Sequence, residues 1–113
     1  MAMKRITARF YKLATGSEPV RDWLLSLSKE DRKKIGTNIA SVEFGWPLGL
    51  PVCRPLGRGL YEVRSKLSGK RIARIIFTID GSDMVPLHGF IKKTRKTPKA
   101  DLDLARTRKT DLR

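Results

Sequence analysis

The chain has 113 residues, enough for one compact domain with a small core and too few for two. Its 25 lysines and arginines against 11 aspartates and glutamates leave a net charge of +14, so a polyanionic partner is the first expectation. A single cysteine, Cys53, and a single histidine, His88, exclude an internal disulfide and a Cys/His zinc cluster, and no stretch approaches the roughly 20 apolar residues of a membrane span.

Lys4, Arg5, Arg9 and Lys12 interrupt the N-terminal stretch, which leaves no apolar h-region for a signal peptide; the cytoplasm is the expected compartment. Ile6, Ala8 and Phe10 alternate with Thr7, Arg9 and Tyr11, a period of two that predicts a first strand. Ser17 is placed to cap a helix with Glu18 and Pro19 in its first turn. Val20, Trp23, Leu24 and Leu27 then fall on one face of it. Ser28 and Asp31 have capping-box spacing, and Ile35, Ile39, Val42 and Trp46 continue a second helical stripe that ends between Gly45 and Pro47. The turn between the two helices is short enough to make them a hairpin. Gly49, Pro51 and Pro55 read as an irregular connection.

From Leu60 the period returns to two. Tyr61, Val63 and Leu67 point one way, and Glu62, Arg64 and Lys66 the other. Ser68-Gly69 predicts a turn into a strand from Arg71 to Ile79, apolar on both faces and therefore central. Asp80-Gly81 predicts the next turn, into a strand from Met84 to Lys92. There Val85, Leu87 and Ile91 share one face, with His88, Phe90 and Lys92 opposite. Pro86 has no N–H to give a ladder, so it belongs at an edge or a bulge. Thr97 is the expected N-cap of a last helix, with Pro98 at its first position. The fold class is α+β: a twisted antiparallel sheet, a helical hairpin on one face, and the other face open.

Charge is uneven along the chain, +4 over residues 1–53 and +10 over residues 54–113, so the anion-facing surface is expected in the second half. Strand period puts Arg64, Arg74, His88 and Lys92 together on the face away from the hairpin, followed by the basic run Lys93, Arg95, Lys96 and Lys99. Such a surface suits a phosphate backbone, with Lys66 beside it and Phe90 offering a ring for an unpaired base. Arg74 is the most pointed of these, because a cation among Ile72, Ile75 and Ile76 is costly to desolvate without a partner. Metal-free RNA cleavage needs a group to take the 2′-hydroxyl proton, cations for the phosphate oxygens, and an acid for the leaving oxygen. Arginine suits the second task, and His88 or a lysine crowded by cations suits the others. The plain alternative for Arg64 and for the Lys92–Lys99 run is a solvated basic surface.

Gly59-Leu60-Tyr61-Glu62-Val63-Arg64, then Arg74-Ile75-Ile76-Phe77, then Leu87-His88-Gly89-Phe90-Ile91-Lys92-Lys93 and Lys96-Thr97-Pro98 together resemble the HigB-type, phage-derived branch of the RelE/ParE toxin superfamily. The resemblance implies a single RelE-like domain over residues 1–113. It also implies the toxin of a type II toxin–antitoxin pair, an mRNA endoribonuclease acting on the ribosome by 2′-hydroxyl attack without metal or other cofactor. Its implied partners are the ribosome, mRNA and a cognate antitoxin of helix-turn-helix type, with DNA met only through the antitoxin and no membrane. Carried over by position, Arg64, Arg74, Lys92 and Lys93 match the family's basic site residues, and His88 matches more weakly. Ala73 and Phe77 stand where many relatives have tyrosines. The alternatives are a gyrase-inhibiting toxin of the same fold and a non-catalytic basic nucleic-acid-binding module.

Overall fold

The computed structural model describes residues 3–49, 51–92 and 96–112. In chain order the elements are β1 (Thr7–Ala8), α1 (Pro19–Leu25), α2 (Lys29–Gly45), β2 (Cys53–Gly57), β3 (Leu60–Lys66), β4 (Ile72–Asp80), β5 (Asp83–Lys92) and α3 (Lys99–Thr110). The strands form one sheet in the order β1-β5-β4-β3-β2. The α+β class is the one expected and is compatible with a RelE-like fold. β2 to β5 pair antiparallel, while β1 lies parallel to β5 and makes the sheet mixed.

α2 begins where the sequence places it, the Asp31 N–H donating to the Ser28 hydroxyl over 3.1 Å. The Asp31 carboxylate, itself buried, takes two bonds from Arg71, at 2.9 and 3.2 Å, which ties the start of α2 to the β3–β4 connection. α1 starts one residue later than expected: Glu18 holds the cap position, and the Ser17 hydroxyl is spent on Asp22. The stretch around Pro55 is an edge strand, not an irregular connection. An edge tolerates a residue with no N–H, and Gly57, at φ 91°, absorbs the register shift that follows.

Val63, Ala73, Ile75, Phe77 and Met84 face the helical hairpin and pack against Val20, Ile35, Ile39 and Val42. Full burial of an isoleucine or phenylalanine there contributes about 1.5–3 kcal/mol. Trp46, Tyr61 and Phe77 close one end, Trp46 meeting the other two rings edge-on at 4.8 and 5.7 Å. Trp23 lies flat on β5: a Cβ at Gly89 would sit 2.5 Å from its ring, so only glycine admits α1 at this depth.

Two expectations fail on the opposite face. It is not open, because α3 crosses it and joins Ile76, Val85, Leu87 and Phe90 in a second apolar cluster through Ala105. Val85 and Leu87 therefore face α3 and not the hairpin. The cause is a bulge: Ile76 pairs with His88 and Phe77 with Pro86, so Leu87 is the extra residue and the alternation slips by one. Pro86 cannot donate to the ladder, although its carbonyl accepts from the Tyr11 N–H. The far end of α3 is pinned by the Tyr11 hydroxyl, which donates to Asp111 over 2.6 Å, and by Arg108, which donates to the Leu87 carbonyl over 2.8 Å. Among the described residues no helix is long and apolar enough to cross a membrane.

Candidate active site

Two rows of side chains cross the α3 face of the sheet. In the first, Arg54, Glu62, Ile76 and His88 stand opposite one another on β2, β3, β4 and β5; in the second, Arg64, Arg74 and Phe90 do. Lys92 follows two residues beyond Phe90 on β5. Period-two alternation thus brings Arg64, Arg74, His88, Phe90 and Lys92 together as expected. Arg54, Glu62, Thr97 and Asp101 are members of the site that the sequence reading did not single out.

Arg74 is fully buried at the centre of the sheet. One terminal nitrogen donates to the Lys96 carbonyl over 2.9 Å, while Nε and the other terminal nitrogen are buried with no hydrogen-bond partner among the described residues. Leaving such donors unpaired costs about 1–3 kcal/mol each, so an acceptor, water or a bound anion, is expected at them. Burial pulls the Arg74 pKa below its ordinary value; Glu62 pulls it back up, and Arg64 and Arg54 press it further down. Glu62 is itself completely buried. Its carboxylate accepts from Arg54 at 3.2 Å and from the Thr97 hydroxyl at 2.6 Å, and lies 3.9 Å from Arg64. One acid thus neutralises part of a three-arginine cluster and leaves a surplus of positive charge.

The Thr97–Glu62 bond also corrects the expected start of α3. Thr97 does not cap the helix; Pro98 holds the cap position, with no side-chain bond. Asp101, in the first turn, reaches back to β5 and accepts from Lys92 at 2.9 Å, with His88 Nε2 2.6 Å from its other oxygen. Burial opposes the charge of Asp101, yet the bonds from Lys92 and His88 hold its carboxyl below the usual range. His88 is stacked on Phe90 at 5.5 Å, and the Lys92 ammonium sits 5.7 Å from the centre of the Phe90 ring. Phe90 is only 7 % exposed, so its ring is engaged by His88, Lys92 and the α3 cluster.

The remaining residues lie outward. Lys66 is exposed at the end of β3. Lys99 projects into solvent beside Asp103, at 2.8 Å. Lys96 contributes its carbonyl to Arg74. Lys93 and Arg95 fall outside the described residues. Among the described residues no three His, Cys, Asp or Glu side chains are grouped to hold a metal ion. The arrangement offers buried arginine donors for anionic oxygens and, on the neighbouring strand, an imidazole held by a carboxylate, the elements of charge stabilisation and proton transfer.

No curated protein gives a significant match to the chain. The family model described as "Phage derived protein Gp49-like (DUF891)" matches residues 22–110, from α1 to the last turn of α3, and so spans every strand of the site. The chain belongs to this phage-derived Gp49-like family, a RelE-type, toxin-like family.

Proposed function

We propose that the chain is the toxin of a type II toxin–antitoxin pair, of the HigB-like branch, and that it cleaves mRNA on the ribosome by 2′-hydroxyl attack. The observation that carries this reading is Arg74: a guanidinium completely buried beside Arg64, with two donors that have no partner among the described residues. A cation so costly to bury is accounted for by an anion that it receives, and the scissile phosphate is that anion. Arg74 and Arg64 stabilise the oxygens of the pentacoordinate phosphorus. His88, oriented by Asp101, exchanges the proton of the 2′-hydroxyl or of the leaving 5′-oxygen, and Lys92 adds charge beside it. Lys93 completes the cationic end of the site, and Lys66, Arg95, Lys96 and Lys99 hold the flanking RNA, with Phe90 supporting the His88 ring. The mechanism uses no metal. Its setting is the cytoplasm, and its partners are the ribosome, mRNA and a cognate antitoxin of helix-turn-helix type through which alone it meets DNA.

The test is induction of the wild-type chain and of Arg74→Ala and Arg64→Ala, with 5′ ends of ribosome-associated mRNA mapped and folding followed by circular dichroism. Wild type is expected to arrest translation and leave new ends within coding sequence, and both variants to lose these ends by at least tenfold while Arg64→Ala stays folded. Arrest of growth with mRNA intact and DNA damage induced would assign the fold to gyrase inhibition instead. Undisturbed growth with wild type would leave only a nucleic-acid-binding module.

A further inference from the structure

A second basic feature lies outside the cluster just described. Where β3 runs on beyond its pairing with β2, an open groove of ≈ 640 Å³ lies between it and α2, its lining including Lys33, Lys34 and Asn38 from α2 and Arg64 and Lys66 from β3. Four cations meet a single acid there, Glu30. Elsewhere Lys4, Arg9, Arg71, Lys92 and Lys99 each pair with a carboxylate, and the other lysines without an ion pair among the described residues, such as Lys12 and Lys109, lie outside the groove. Lys33, Lys34 and Lys66 form no ion pair among the described residues. Lys34 is within electrostatic reach of Asp31, but that carboxylate is already forked onto Arg71. The walls are fixed relative to one another, since the Asn38 amide donates to the Ser65 hydroxyl at 2.8 Å and to the Arg64 carbonyl at 3.3 Å. Arg64 is part of the lining, and Arg74 stands directly opposite it on β4.

We infer that this groove is a binding site for single-stranded RNA, carrying the phosphates that flank the one received by Arg74 and Arg64. The inference rests on the ribonuclease reading for the position of that scissile phosphate. It adds the path of the strand, which leaves the α3 face at Arg64, rounds the end of β3 that β2 does not cover, and runs along α2 past Lys66, Lys33 and Lys34. RNA fits better than an acidic protein segment because the groove is continuous with the phosphate site through a shared arginine. Long flexible lysines also track a phosphate backbone without demanding a sequence.

The experiment measures binding of a fluorescein-labelled, fully 2′-O-methylated 12-nucleotide RNA, which resists cleavage, by anisotropy over a range of salt. Lys33→Gln/Lys34→Gln/Lys66→Gln is compared with wild type and with Lys12→Gln/Lys109→Gln as a charge control. The triple variant is expected to bind at least tenfold more weakly and to flatten the slope of log K against log salt by about 2, three contacts at roughly 0.7 each. The control pair keeps most of the wild-type affinity. Equal losses in triple variant and control, or no loss in either, overturn the groove. So does a triple variant that binds the RNA normally but fails to bind a polyglutamate peptide that wild type retains, because the occupant is then acidic protein. Messenger cleavage is scored separately in the same set. Cleavage with RNA binding independent of the groove removes this inference and leaves the ribonuclease reading; groove-dependent binding without cleavage does the reverse.

Discussion

The two faces of the one sheet solve different problems. Against the hairpin, β3, β4 and β5 present Val63, Ala73, Ile75, Phe77 and Met84, a layer without a charged group that is stable by burial alone. Against α3, the same strands alternate Ile76, Leu87 and Phe90 with Glu62, Arg74 and His88, so an apolar cluster is interrupted by a buried ionic layer. Burying charge is a poor way to gain stability, since desolvation offsets or exceeds the attraction between partners. Under the proposed function, the hairpin side serves folding and the α3 side chemistry.

The comparison is sharpest where a residue is removed from each layer. Phe77→Ala, on the hairpin side, empties a fully buried site between Tyr61 and Trp46 and is expected to cost about 3–5 kcal/mol in urea denaturation. Glu62→Gln, on the other side, keeps the shape but leaves Arg54, Arg64 and Arg74 without their shared acid. Loss of one partner from a buried ionic pair costs roughly 3–5 kcal/mol, and the partial exposure of Arg54 favours the lower figure. A Glu62→Gln protein as stable as wild type would mean that water or α3 already screens the three arginines, and the layer would not be an electrostatic unit.

Arg74→Met separates the layers. It replaces one of three cations that share Glu62, two of whose donors have no partner among the described residues, with an apolar chain of similar length, so the fold is expected to hold while messenger cleavage is lost. A residue whose removal leaves the fold standing and abolishes activity is retained for what it binds. Should Arg74→Met unfold as Phe77→Ala does, Arg74 is a structural member of the sheet and the contrast between the faces collapses.

How much of this was legible depends on how local the information is. Ser28, Ile35, Ile39 and Val42 carry their own helical spacing, and α2 stands where they put it. The common face of Arg64, Arg74, His88 and Lys92 also follows from alternation within single strands. The bulge does not: Pro86 announces that a ladder bond is missing, not that Leu87 becomes the extra residue and turns toward α3. Nor does the covering of that face, because Leu102 and Ala105 make only a narrow stripe whose partner lies on other strands. Glu62 alternates visibly with Arg64, but its role comes from Arg54 and Thr97, which pairing and chain reversal bring to it from either side. Asp101 is silent for the same reason: nothing near it in sequence predicts that the first turn of α3 docks on His88.

That docking gives the gentlest test of the contrast, through pH. Asp101 titrates below its ordinary value of 3.8 because the bonds from Lys92 and His88 outweigh the penalty of its burial. A carboxyl held lower in the folded than in the unfolded chain contributes stability in full above its unfolded value. That contribution is lost as pH falls through the folded one. Wild type should therefore lose stability from below about pH 4, as expected for a carboxylate, and Asp101→Asn should start lower at neutral pH and fall less steeply over the same window. Urea midpoints at pH 7, 5, 4 and 3 read both slopes. Parallel curves would place the acid sensitivity in the other carboxyls held low, Asp31 beside Arg71 on the hairpin side or Asp103 beside Lys99, which Asp31→Asn and Asp103→Asn then separate. Only a difference confined to Asp101→Asn ties the attachment of α3 to the charged layer that it covers.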